Sequence, residues 1–167
     1  MSVDVAFTPD ALSARAFRDA LGCFATGITV VTIDSAEGPM GFVANSFSSL
    51  SMDPPLVLWS PARASRRFRF FADAPHYVIH VLAEDQADWI ARFGRDGGGF
   101  SGLDVPRNPE GVPLIAGALA RFDCAQHGTH DGGDHLIIVG RVLRAAMQEG
   151  APLVFSRGRY GQFLPAA

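Results

Sequence analysis

Short apolar, β-branched runs broken by turn residues set the strongest limit on what this chain can become. "ITVVTID" (28–34) reads as a strand, "SAEGP" (35–39) as a turn, and "MGFVANS" (40–46) as the return arm of a hairpin. "PPLVLWS" (54–60) and "HYVIHVL" (76–82) are two more strands, the first with its entry set by Pro54 and Pro55. "ALARFDCAQHGT" (118–129), "DHLIIVGRVLRAAM" (134–147) and "PLVFSRGRYGQF" (152–163) follow, and "HDGGD" (130–134) closes the first two into a hairpin. That makes about seven strands, mostly hairpin-linked. No βαβ alternation runs through the chain and no GxGxxG follows a strand, so a doubly wound sheet is disfavoured. The expectation is a mainly β protein: an antiparallel barrel with a few short helices covering its ends.

The helices are few. "TPDALSARAFRDALGCFATG" (8–27) carries Phe17, Leu21 and Phe24 at i, i+4, i+7, with Thr8 or Ser13 as candidate caps and Gly27 as a stop. "ASRRFRFFADA" (64–74) reads as a short helix with Phe68 and Phe71 inward, and "AEDQADWIARFG" (83–94) as another. "RDGGGFSGLDVPRNPEGVP" (95–113) is about nineteen residues of Gly, Pro and polar punctuation, expected to be a lid, an interface arm or a mobile segment. Neither side of it makes a complete barrel, so residues 1–167 are read as a single domain without internal repeats.

Composition narrows the chemistry. A 48% hydrophobic content with 19% charge argues for a packed core over 167 residues. A net charge of −3 gives no pull toward nucleic acid or an anionic membrane. All 14 basic residues are Arg, which excludes a Schiff-base lysine and a P-loop lysine. Any bound phosphate must be held by Arg, hydroxyls, backbone N–H groups or a helix N-terminus. The stretch "MSVDVAFTPDAL" shows no secretory-leader pattern, and no apolar run reaches the ~20 residues of a membrane span. Cys23 and Cys124 stand far apart with no CxxC spacing. The expectation is a cytoplasmic protein with reduced thiols.

Candidate sites are then weighed against plain structural roles. The five His and many Ser come without a GxSxG elbow, so no triad is inferred. Cys124, His127, His130, Asp131, Asp134 and His135 crowd one stretch, yet Cys124 and His127 fall on opposite faces of a strand. The spacing matches no common zinc pattern, and a polar hairpin turn explains it; no metal is expected. "SPARASRRF" (60–68) places Ser65, Arg63, Arg66 and Arg67 at a helix start, which suits an anion as well as it suits ordinary capping. "ANSFSSLS" (44–51) sits between two strongly apolar stretches. Its backbone could hydrogen-bond the polar edge of a flat heterocycle, with Phe42, Phe47 and Trp59 as walls, or it is a polar loop over a barrel mouth.

In order along residues 15–161, "FRDALGCFATGITVVT", "GFVANSFSSLSMDPPLVLWSP", "ASRRF", "HYVIHVLAEDQADWIARFG", "FSG", "GALARFDC", "HDGGDHLIIVG" and "PLVFSRGRYG" together resemble the short-chain flavin reductases of two-component flavin-dependent monooxygenases. The resemblance implies a Greek-key-type antiparallel split β-barrel, the FMN-binding split barrel. It implies hydride transfer from NADH or NADPH to FMN or FAD, with reduced flavin passing to a separate oxygenase component. It implies a homodimer whose second subunit helps to close the site. Val43, Ala44, Asn45, Ser46 and Ser48 match the stretch against the flavin ring and ribityl chain. Ser60, Ala62, Ser65 and Arg66 match the part that holds the flavin phosphate. His135 matches the histidine near the nicotinamide, and Ser156, Arg157, Gly158 and Tyr160 belong to the C-terminal motif lining the same side. Two positions depart from the pattern: Ser48 stands where Thr is common, and His80 stands where Asn is frequent, which alters local hydrogen bonding. The alternatives are a flavoprotein that binds FMN tightly and passes electrons onward, and a small-ligand barrel without catalysis.

Overall fold

The computed structural model describes residues 6–94 and 99–164. Strands β2 (Thr29–Ser35) and β3 (Gly38–Ala44) form the expected hairpin, register Val31 to Phe42. On the other side β2 pairs with β6 (His76–Val81), which pairs with β7 (Ala120–Gly132). The two-residue turn Gly133–Asp134 returns the chain into β8 (His135–Met147), with Gly133 at φ +74°. Strand β8 carries β5 (Pro55–Trp59), and β5 carries β4 (Ser48–Met52). All seven strands are antiparallel, in the order β3-β2-β6-β7-β8-β5-β4, and the sheet curls into a split barrel. A second sheet, β1-β9-β10, is built from β1 (Thr26–Gly27), β9 (Leu153–Ser156) and β10 (Arg159–Gln162).

The described residues form ten strands where about seven are expected. The 44–51 stretch is not all loop: its second half is β4, whose serines hid the alternation that marks a strand. "PLVFSRGRYGQF" splits at Arg157–Gly158, both at positive φ, into β9 and β10. Helix α1 spans only Ala14–Leu21. Neither Thr8 nor Ser13 caps it through its side chain, because the Ser13 hydroxyl turns back to the Asp10 carboxylate at 2.8 Å. None of its residues is buried, and Phe17, Leu21 and Phe24 stay 42%, 59% and 78% exposed. Helix α2 (Phe68–Ala72) buries Phe71 fully and Phe68 partly. Ser65 does not cap it: its Oγ accepts the Arg67 N–H at 3.3 Å and shapes the preceding turn. Helix α3 (Asp88–Gly94) buries Phe93.

The long Gly/Pro segment is a fixed strap over its described part, with 95–98 outside the described residues. Phe100, Val112, Leu114 and Ile115 are buried under it. The Thr32 hydroxyl donates to the Pro113 carbonyl at 2.7 Å, and Arg107 pairs with Asp34 at 2.9 Å. Arg144 joins Glu110 of the strap to the buried Asp123. Over its described part the segment is packed on the body, and burial of its apolar residues offsets the ordering of its backbone.

Two large apolar clusters and a small third one, Val78 with Val112 and Leu114, fill the described residues. Trp59, Phe71, Tyr77, Ile79 and Ile138 pack inside the barrel, where Trp59 meets Phe71 edge-on at 5.7 Å between centroids. Gly140 admits the Tyr77 hydroxyl, since a Cβ there would lie 2.1 Å from it. Ile28, Val30, Leu82, Phe93, Phe100 and Leu153 form the second cluster, outside the barrel wall. Ile28 donates to Leu153 O at 3.2 Å, Leu153 to Leu82 O at 3.1 Å, and Leu82 to Ile28 O at 3.0 Å. That ring joins the small sheet to the large one. No helix among the described residues is long and apolar enough to cross a membrane.

His80 is fully buried, and both ring nitrogens are used. Nε2 accepts the Ile115 N–H at 3.1 Å, so Nδ1 carries the proton and donates to Val30 O at 3.1 Å. It ties the strap to β2. Burial, only partly offset by the Val30 bond, pulls its pKa down to about 4 from 6.5. Between those values the unfolded chain binds a proton that the native state does not, so stability falls as pH drops from 6.5 toward 4. The loss reaches about 3 kcal/mol. Urea unfolding of the wild type and His80→Asn at pH near neutrality and near 4 checks this: the acid loss should shrink by about that amount in the variant.

Candidate functional site

A cleft of about 1040 Å³ opens between the end of α1, the β3–β4 connection and the β9–β10 turn. It lies at the upper end of the ~300–1,000 Å³ typical of small-ligand sites. Phe24, Phe47 and Phe155 contribute its aromatic surface. Phe47 is held by stacking on Phe122 at 5.5 Å, and Phe155 by Tyr160 at 5.3 Å. Thr26 lies on the lining opposite Phe155 in register, and its buried hydroxyl has no hydrogen-bond partner among the described residues. A buried orphan hydroxyl costs about 1–3 kcal/mol until something bonds to it.

Asn45, Ser46 and Ser48 line this cleft, as do Arg157 and Gly158. Ser46 has a second duty. Its Oγ accepts the Ser60 N–H at 2.9 Å and donates to Ser60 O at 3.2 Å, so it clamps the start of the 60–66 turn to the cleft wall. Val43 and Ala44 are not on the lining. Val43 packs on the second apolar cluster, and buried Ala44 accepts the Thr29 hydroxyl at 2.7 Å. They fix the strand from which Asn45 emerges.

Ser60, Ala62, Ser65, Arg66 and His135 form a neighbouring group rather than part of that lining. Ala62 bridges to His135 across an isolated antiparallel contact, and Leu136 donates to Pro61 O at 3.1 Å. Arg63 fastens the turn to the β7–β8 tip, through Gly133 O at 3.1 Å and Asp131 at 2.7 Å. His135 Nδ1 lies 2.7 Å from the Asp134 carboxylate, and that hydrogen bond holds the Asp134 pKa below the usual range. Ser65 and Arg66 lie in the turn before α2, with Arg66 exposed. Ser156 donates to Gly22 O at 3.4 Å, and Tyr160 backs Phe155 without reaching the cleft itself. Cys124 is buried in the sheet, its thiol pushed up to about 12 by burial and then by Asp123, so it is inert at neutral pH.

Arg18, Cys23, Phe24, Thr26 and Phe155 also line the cleft, and the sequence did not single them out as a site. Their segments are noted there as helix, as strand and as pieces of the family resemblance, without a site role for these residues. What brings them together is contact between Gly22 and the turn after β9, 134 residues away, which no local spacing reveals.

A family model described as flavin reductase like domain matches residues 21–164. The FMN reductase (NADH) SmoA of Agrobacterium fabrum is 55% identical over 157 residues, covering 94% of this chain and 90% of that protein. The reductase subunit HsaB of a flavin-dependent monooxygenase from Rhodococcus jostii is 42% identical, over 94% of this chain and 82% of its own. The NADH:FAD oxidoreductase SgcE6 of Streptomyces globisporus C-1027, solved in complex with NAD and FAD fragments, superposes with a TM-score of 0.87 at 36% identity, over 97% of this chain and 99% of that one. The family model spans the barrel, the strap and the cleft walls from Leu21 to Leu164, and so this chain belongs to the flavin reductase family.

Proposed function

We propose that this protein transfers hydride from NADH to FMN or FAD and supplies the reduced flavin to a separate oxygenase component. The observation that carries the reading is the orphaned Thr26 hydroxyl on the lining of an aromatic-walled cleft. Such a surface suits a planar ring system with a polar edge. Phe24, Phe47 and Phe155 offer faces for the ring; Thr26, Asn45 and Ser48 offer hydrogen-bonding groups for its edge. The names of the relatives point the same way: one is an NADH-dependent FMN reductase and another serves a monooxygenase.

Bound flavin supplies the two-electron acceptor, so the protein needs no nucleophile of its own. The residues instead bind and orient. Orientation of this kind contributes at most about 7–11 kcal/mol to lowering a barrier. Ser65 and Arg66 in the turn before α2 hold the flavin phosphate, and Ser46 keeps that turn against the cleft through Ser60. His135 orients the nicotinamide. The Asp134 carboxylate fixes its Nδ1 and leaves Nε2 available.

A homodimer accounts for the uncovered apolar stripe. Helix α1 walls the cleft yet buries nothing, and Tyr160, Phe163 and Leu164 beyond it are 50%, 58% and 82% exposed. A second copy of the chain covers them, and sedimentation should give twice the chain mass; a monomer at micromolar concentration contradicts this. A cytoplasmic setting agrees with Cys23 and Cys124 both being free thiols.

Pyridine-nucleotide oxidation followed with and without added flavin tests the function. Rapid NADH oxidation that requires added FMN or FAD is expected. A yellow protein active without added flavin indicates a tightly held group instead, and an inert colourless protein refutes the enzyme. In His135→Ala the Michaelis constant for NADH should rise about tenfold or more, as for loss of one good polar contact. Unchanged kinetics would remove His135 from the nicotinamide site.

A further inference from the structure

Arg18 and Arg157 are the two cations of the cleft lining. Neither guanidinium has a hydrogen bond or ion pair among the described residues, whereas Arg63, Arg69, Arg107, Arg121 and Arg144 are all engaged with carboxylates. Asp19 on the same wall leaves the lining with one net positive charge.

The backbones that carry the two arginines are locked together. Arg157 donates its N–H to Gly22 O at 2.8 Å. The point where a Cβ on Gly22 would sit is 3.3 Å from both the Arg18 carbonyl oxygen and the Arg157 Cα, so helix end and turn are packed at close range. Arg157 also stands at φ +49°, a left-handed conformation costing about 1 kcal/mol or more for a residue with a side chain. Gly158 beside it, already at φ +75°, would not have prevented a second glycine here. A strained, unpaired arginine on a cleft wall, fastened to the helix that presents another, is an arrangement for gripping an anion.

We infer that Arg18 and Arg157 form a two-guanidinium clamp for the diphosphate of the dinucleotide hydride donor. The inference rests on the flavin reductase reading above. In that reading the flavin phosphate belongs to the turn before α2, which is not on this lining, so it leaves these two guanidinium groups unused. With FMN as acceptor, only the dinucleotide donor brings two negative charges on adjacent phosphates, and two planar forks match them in number and hydrogen-bonding geometry. The clamp binds the part of the donor remote from the reacting ring, so it acts on donor affinity rather than on the hydride step.

Steady-state kinetics of Arg18→Ala and Arg157→Ala with two donors tests this. One donor is NADH; the other is 1-benzyl-1,4-dihydronicotinamide, which has the same reducing ring and no phosphate. Each variant should raise the Michaelis constant for NADH about tenfold or more, with kcat within about twofold. In Arg18→Ala the benzyl donor should lose less than about twofold in kcat/KM, and the Michaelis constant for FMN should hold. Arg18→Lys should recover part of the NADH affinity, keeping charge without the fork. Equal losses with both donors would mean a structural role and overturn the clamp, as would an unchanged NADH constant, or a rise in the FMN constant instead. A wild-type protein that oxidises neither donor with any flavin refutes the parent reading, whatever the arginines do.

Discussion

Three backbone hydrogen bonds close a ring at Ile28, Leu82 and Leu153, and the placement of everything around the cleft depends on it. The three residues belong to segments far apart in sequence and all are buried. Each N–H is satisfied by the next residue's carbonyl, so the junction leaves none of these donors orphaned in an apolar setting. From that point β1 leaves toward α1, β9 toward the β9–β10 turn, and β2 into the barrel. One junction therefore sets two walls of the cleft relative to the third, the Asn45–Ser48 connection, which β3 delivers from the hairpin with β2.

The strap shows how a polar, glycine-rich segment becomes part of the scaffold. Its apolar residues are sparse but well placed, and Thr32, His80 and Asp34 meet its backbone and charges at specific points. His80 matters most because a neutral imidazole can both donate and accept. It joins β2 to Ile115 with no charge to bury. The cleft is thus carried by a packed frame, while apolar residues of α1 and the C-terminal strand stay exposed.

The barrel strands were legible because β-branched runs and the Gly133 turn act locally. Strand β4 was not, since its serines carry no alternation and its pairing is supplied by β5 across the Asp53–Pro54 turn. Asn45, Ser46 and Ser48 were legible as a polar interruption between apolar strands, and they do meet at the cleft. Thr26 and Phe155 were not, because their roles arise from a register between β1 and β9 that only the folded chain creates. Helix α1 misled for a different reason. Periodicity reports that a face is apolar, but does not say whether this chain or another copy covers it.

The central claim is that flavin occupies the cleft between α1, the Asn45–Ser48 connection and the β9–β10 turn. Hydrogen–deuterium exchange with and without saturating FMN tests it most directly. Protection should concentrate in residues 22–27, 45–48 and 155–158, with the strap over 99–113 unchanged. Protection centred on the strap, or none at these three segments in a protein that still turns over, would contradict the account.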